Sequence, residues 1–194
     1  MDKTQFYKIK DKYEYWSSWA VWAEQDGPVK SNVGNLDIFN LNKNPKILDV
    51  LNPNIVFCGL NISREVEFPF ANFHDSNSRS MDFKLRHAIK DTHAWGGYMT
   101  DIIKGYKEVL SNQVKSHLEN NDDIVKKNIS LFSEELSYIG AENALLIAFG
   151  NDVYKILRTN LKNEYNIIKM QHYAFPCGKN DYRNLFINCI KDHL

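Results

Sequence analysis

Apolar and polar residues follow two rhythms along this chain, and the change from one to the other marks its elements. Residues 54–58, 144–149 and 165–170 are short, nearly continuous apolar runs, and the first two stop at Gly59 and Gly150. Runs of that length bounded by glycine or by Asn52-Pro53 read as buried strands of a parallel sheet. Between and after them the spacing changes to the helical period. It predicts helices over 81–90, with Phe83, Leu85, Ala88 and Ile89 inward, and over 123–139, with Ile124, Ile129, Leu131, Phe132, Leu136 and Ile139 inward. Two more follow over 152–161 and 181–193, the last turning Tyr182, Leu185, Phe186 and Ile190 inward. Gly140 suits a C-cap, and Ser78 and Ser80 offer N-cap oxygens ahead of the first helix.

The remaining segments are less periodic. Tyr15, Trp19 and Trp22 fall at i, i+4 and i+7, which predicts a helical stripe within 5–24 buried against the body of the protein. Residues 25–44 carry Gly27-Pro28 and Gly34-Asn35 and read as a surface loop. Gly96-Gly97 ends the helix before it, and the apolar residues after that pair make a short strand or turn. Residues 108–118 are a polar loop or helix, and 120–123 a turn. Strands alternating with helices predict an α/β fold, a three-layer α/β/α sandwich around a central, mostly parallel sheet. The whole of 1–194 is expected to be one domain, with 1–50 a helical and loop extension packed on it.

Composition narrows the picture. The chain is 43% hydrophobic and 25% charged, as in ordinary globular proteins. It has no apolar run near the roughly 20 residues that cross a bilayer, and its opening residues show no signal-peptide pattern. No membrane association is expected, and the reading is a cytoplasmic monomer. Cys58, Cys177 and Cys189 are widely spaced, so neither a disulfide framework nor a zinc ribbon nor an iron–sulfur cluster is indicated. His74-Asp75 lacks a Cys or His partner at ligand spacing, so no metal and no cofactor is expected. The net charge is zero, which speaks against a broad nonspecific nucleic-acid footprint.

The chemistry-bearing residues cluster after the first apolar run. Gly59-Leu60-Asn61-Ile62 and Phe68-Pro69-Phe70-Ala71 place an amide and aromatic side chains where a loop leaves the carboxyl end of a strand, the usual ligand position in open α/β sheets. These two segments resemble the first signature of the uracil-DNA glycosylase superfamily, most closely its mismatch-specific thymine/uracil branch. Ile62 stands where that branch has proline and Ser63 where it usually has glycine. His172-Tyr173-Ala174 holds the position of the superfamily's second signature, matched outright by the histidine alone.

The resemblance implies a glycosylase that hydrolyses the N-glycosidic bond of uracil or a mismatched pyrimidine in DNA, a base-excision repair activity without metal or cofactor. It assigns Asn61 to orienting water and His172 to donating toward the departing base. Gly59, Leu60, Phe70, Asn72, Phe73 and Tyr98 would surround the base, with Phe70 stacked on its face and Asn72 reading its edge. Ser63, Arg64, Ser76, Ser78 and Lys179 would contact the DNA backbone, and Asp101 is a further candidate for activating water. The partner would be DNA containing uracil or a mismatch, its target base extruded from the stack. Each residue also has a plainer reading: a turn-capping asparagine, a strand-end histidine, core phenylalanines. Two other outcomes are a protein of this fold with lost or changed activity that binds a nucleobase, a nucleotide or a protein partner, and a hydrolase of free nucleosides.

Overall fold

The structure is a computed structural model and describes residues 1–77, 79–119 and 121–193. Five strands form one sheet: β1 (Ser17–Trp19), β2 (Asn52–Asn61), β3 (Gly97–Ile103), β4 (Leu145–Phe149) and β5 (Asn166–Met170). Their order is β1-β3-β2-β4-β5, with β1 antiparallel to β3 and every other pair parallel. The helices are α1 (Lys3–Tyr13), α2 (Asp82–Ile89), α3 (Ser111–Glu119), α4 (Asp122–Ile139), α5 (Asn151–Leu161) and α6 (Lys179–Ile190), with short 3₁₀ turns at Leu36–Phe39 and Pro45–Asp49.

Strand periodicity divides the core in two. Ile55, Phe57, Met99, Ile147 and Met170 bury one sheet face under α2 and α6, with Leu85, Ile89, Tyr182 and Phe186. Val56, Cys58, Tyr98, Leu146 and Ala148 bury the other under α1, α4 and α5, with Phe132, Leu136 and Leu157. This is the three-layer α/β arrangement with a mostly parallel sheet that the alternating pattern predicts. β3 lies on one side of β2 and β4 on the other, so consecutive connections leave β2 in opposite directions. That makes the carboxyl end of β2 a topological switch point.

The N-terminal aromatic stretch departs from the helical reading. α1 ends at Tyr13 and Trp19 belongs to β1, whose three residues are all buried against β3, so Trp19 and Trp22 are buried while Tyr15 and Trp16, in the turn before the strand, face solvent. Residues 1–50 thus go beyond an extension packed on the domain: they supply an edge strand and part of the core. Leu131 and Leu185, read as inward, are 41% exposed, because each sits at the margin of its helix's apolar stripe. Met81, without a side-chain bond, occupies the N-cap of α2; Ser80 Oγ instead accepts from the Asp82 N–H at 3.3 Å, and Ser78 lies outside the described residues. At Gly140 the left-handed backbone (φ 77°) ends α4 as the glycine predicts.

Two buried cations of α2 tie loops to that helix. Arg86 donates to the carbonyls of Val29 and Ser31, both at 2.7 Å, and fixes the 23–31 loop on α2. Lys84 donates to the Phe175 carbonyl at 2.6 Å and fixes the loop after β5. Among the described residues no helix is long and apolar enough to cross a membrane.

Candidate functional site

Past Asn61 the chain leaves β2 for a long loop, 62–81, and this loop encloses a cleft of about 610 Å³ at the carboxyl edge of the sheet. Its walls include Ile62, Ser63, Arg64, Asn72, Phe73 and Ser76, and Tyr173 and Ala174 from the loop after β5 close it. The sequence-predicted residues Ser63, Arg64, Asn72, Phe73 and Ser76 therefore share one cavity.

Beneath Asn72 and Phe73 lies Asp101, 4% exposed. It pairs across β3 and β2 with Gly59, and alternation puts both on the α2/α6 side of the sheet. A Cβ at position 59 would overlap Asp101 Oδ1 and approach the Phe73 ring to 3.2 Å, so only glycine lets the carboxyl lie flat on the strand. Asn72 Nδ2 donates to Asp101 Oδ2 at 2.9 Å and to the Trp16 carbonyl at 3.2 Å, which orients both amide and acid. Burial raises the Asp101 pKa to about 6, against the opposing pull of the Asn72 bond and the Lys104 charge.

Asp101 lies behind the lining, under Asn72 and Phe73, and the buried carboxyl that borders the cleft itself is Asp82. Asp82 accepts the Asp75 N–H at 2.7 Å, and burial raises its pKa to about 6 as well. Tyr173 meets Phe73 edge-on with ring centroids 6.5 Å apart. Burial first, and then the carboxylates of Asp82 and Asp101, push its phenol well above the usual range, so it stays a neutral donor. Among its described residues the cleft sets four carboxylates, those of Glu65, Glu67, Asp75 and Asp82, against Arg64 and Arg79. Arg64 already lies 3.8 Å from Asp75.

Several assignments change. Asn61 and His172 do not meet, and neither lines the cleft. The Asn61 amide donates to the backbone carbonyls of Glu108 at 2.8 Å and Tyr106 at 3.2 Å, tying the end of β2 to the 104–110 loop. His172 lies at the surface with its Nδ1 accepting the Ala174 N–H at 3.1 Å and its ring stacked on Tyr173 at 4.2 Å. Phe70 cannot stack on a base: it is fully buried at φ 58°, packed on Phe6 and Phe39, with its carbonyl accepting from Ser18 Oγ.

Tyr98 faces the opposite side of the sheet. Its hydroxyl and that of Thr100 each donate to Glu135 Oε1 at 2.8 Å, and Lys104 Nζ lies 2.7 Å from Oε2. Leu60 also turns to that side, against the α4/α5 layer. Lys179 begins α6 and stays outside the cleft, and Ser78 is not among the described residues.

Asp82 and Tyr173 are the site residues that sequence reasoning passed over. A polar residue opening a helix and an aromatic in a motif's weak position give no signal that burial will perturb them. His74 is fully buried, its Nε2 donating to the Trp19 carbonyl at 3.2 Å and its ring packed on Trp22 and Phe39; burial lowers its pKa to about 4, which marks a core histidine. Among the described residues no group of three His, Cys, Asp or Glu side chains is placed to hold a metal ion. No protein-family model matches this chain, and neither a curated protein nor a solved structure does.

Proposed function

We propose that the cleft hydrolyses the N-glycosidic bond of uracil or a mismatched pyrimidine in DNA, on a sheet of the uracil-DNA glycosylase kind. The observation that carries the reading is Asp101: a buried carboxyl of pKa about 6, held by Asn72 and bedded on Gly59 at the carboxyl ends of two parallel strands.

Breaking this bond builds positive charge on the sugar and negative charge on the leaving base. A carboxylate that titrates near neutrality takes a proton from water efficiently, a contribution of roughly 10²- to 10⁴-fold, and its charge favours the oxocarbenium-like sugar. Asn72 positions Asp101, so it orients the acid rather than reading the base. Tyr173, kept neutral by its surroundings, supplies the proton donor toward the base oxygen, and Phe73 supplies the aromatic contact that Phe70 cannot.

The test is an end-labelled oligonucleotide with one deoxyuridine, offered opposite G, opposite A and single-stranded, with strand scission at abasic sites as readout. The native protein releases uracil in at least one context, and Asp101→Asn slows it by roughly 100-fold or more. Absence of abasic product in all three contexts rejects the proposal. A second reading, hydrolysis of free nucleosides, is favoured by the surplus of carboxylates over arginines in the cleft. It requires turnover of deoxyuridine itself, at a KM that does not respond to salt.

A further inference from the structure

The acidic cleft offers little to a phosphate backbone, yet it opens into a second groove whose charge is different. Gly34, Leu36 and Phe68 line both cavities, and the second, of about 550 Å³, runs between Phe68 and the exposed side of α1. α1 carries four lysines against one aspartate in eleven residues. Lys3, Tyr7 and Lys10 fall at i, i+4 and i+7, one stripe of the helix; Tyr7 and Lys10 line the groove, and Lys3 Nζ sits 6.0 Å from the Tyr7 ring centre. Among the described lining residues the groove's single carboxylate is Asp37, and Lys43 already holds it at 2.6 Å. Phe68 is 61% exposed and Tyr7 40%, the latter resting edge-on against the core ring of Phe6 and leaving its outer side open.

Aromatic faces set among lysines along an open groove are what single-stranded nucleic acid recognises: bases stack on the rings while ammonium groups follow the phosphates. We infer that this groove is the track for single-stranded DNA flanking the base held in the cleft, with Phe68 and Tyr7 as stacking platforms and Lys3 and Lys10 as phosphate contacts. The inference rests on the proposed function for its direction, since the shared wall at Phe68 is what joins the track to the cleft.

The test is fluorescence anisotropy with a labelled 15-residue oligothymidylate, which contains no uracil, titrated at several salt concentrations against the full chain. The native protein binds, with log K falling as log salt rises. Lys3→Ala combined with Lys10→Ala lowers the magnitude of that slope by about 1.4, the value for two phosphates on a single strand. Phe68→Ala weakens binding roughly 5- to 140-fold and leaves the slope unchanged, since stacking is lost without charge. Lys3 and Phe68 are exposed and Lys10 is half-buried, 3.6 Å from Glu14, and unaltered circular dichroism confirms folding. Native-like affinity and slope in both variants, or no binding by the native protein at low salt, overturns the track. Uracil release with unaffected oligothymidylate binding in the variants rejects the track alone. Track-dependent binding with no uracil release rejects the glycosylase reading alone.

Discussion

The carboxyl of Asp101 lies directly on the α-carbon of Gly59, with the Phe73 ring at the same point. A hydrogen at position 59 is thus part of the site, because any side chain there would occupy the acid's place. Gly59→Ala should cost about 1–3 kcal/mol, the usual penalty for overfilling a packed interior. Urea denaturation measures the loss, and uracil release should fall beyond what the stability change explains.

Asp101→Asn should separate stability from activity. The folded pKa of about 6 exceeds the ordinary 3.8, so the folded state binds more protons between those values and loses stability as pH rises through that window. At pH 7 the ionised acid costs up to about 3 kcal/mol, which the neutral amide avoids. The variant should melt higher at pH 7 and gain nothing at pH 3.5. In the native protein uracil release should decline as pH falls below about 6, where the carboxyl becomes protonated.

His74 acts in the opposite sense. Its pKa of about 4 in the folded chain lies below the ordinary 6.5, so the unfolded state takes up the proton first and stability falls as pH drops from 6.5 toward 4. Asp82 and Asp101 offset this over part of the range, so the effect is read as a difference from a variant. Between pH 7 and 5 the native protein should lose about 2 kcal/mol more than His74→Gln, measured by denaturation at each pH.

Asn61→Ala should loosen one loop. Removing the amide frees the carbonyls of Tyr106 and Glu108, at a cost of about 1–3 kcal/mol. Hydrogen exchange should quicken across 104–110 and little elsewhere. Slower uracil release with unchanged exchange would instead return Asn61 to the chemistry.

The buried Lys104–Glu135 pair should fail asymmetrically. Lys104→Met leaves a fully buried carboxylate without its counter-charge and should cost about 3–5 kcal/mol. Adding Glu135→Gln should recover most of it, because a neutral amide oxygen still accepts from Tyr98 and Thr100. Urea denaturation of the single and double variants checks the order.

Local pattern made the body of the fold legible. Short apolar runs became β2, β4 and β5, and periodic stretches became α2, α4, α5 and α6, because each buries a face whose spacing the residues themselves declare. Trp19 misled for a physical reason: aromatics three and four apart also arise by chance in a strand-and-loop segment, and pairing of Ser17–Trp19 with β3 outweighed the helical spacing.

At the site, the residue types were readable and their directions were not. Asp101 entered as a candidate through the resemblance alone, whereas the loop at 62–76 could be located from the end of an apolar run. Which way a side chain points at a strand's end depends on parity and on what lies opposite. Parity sends Tyr98 to Glu135 and Asp101, three positions on, to Gly59 on the other face. Neighbouring carbonyls claim Asn61, and the aromatic packing of Phe6 and Phe39 claims Phe70. Sequence alone thus determined the layers, the helices that cover them and the position of the loop that walls the cleft, since these follow from hydrophobic spacing within single segments. Tertiary structure alone decided which acid is buried, which amide is spent on backbone and which rings remain open, because burial and hydrogen bonding join segments far apart in the chain.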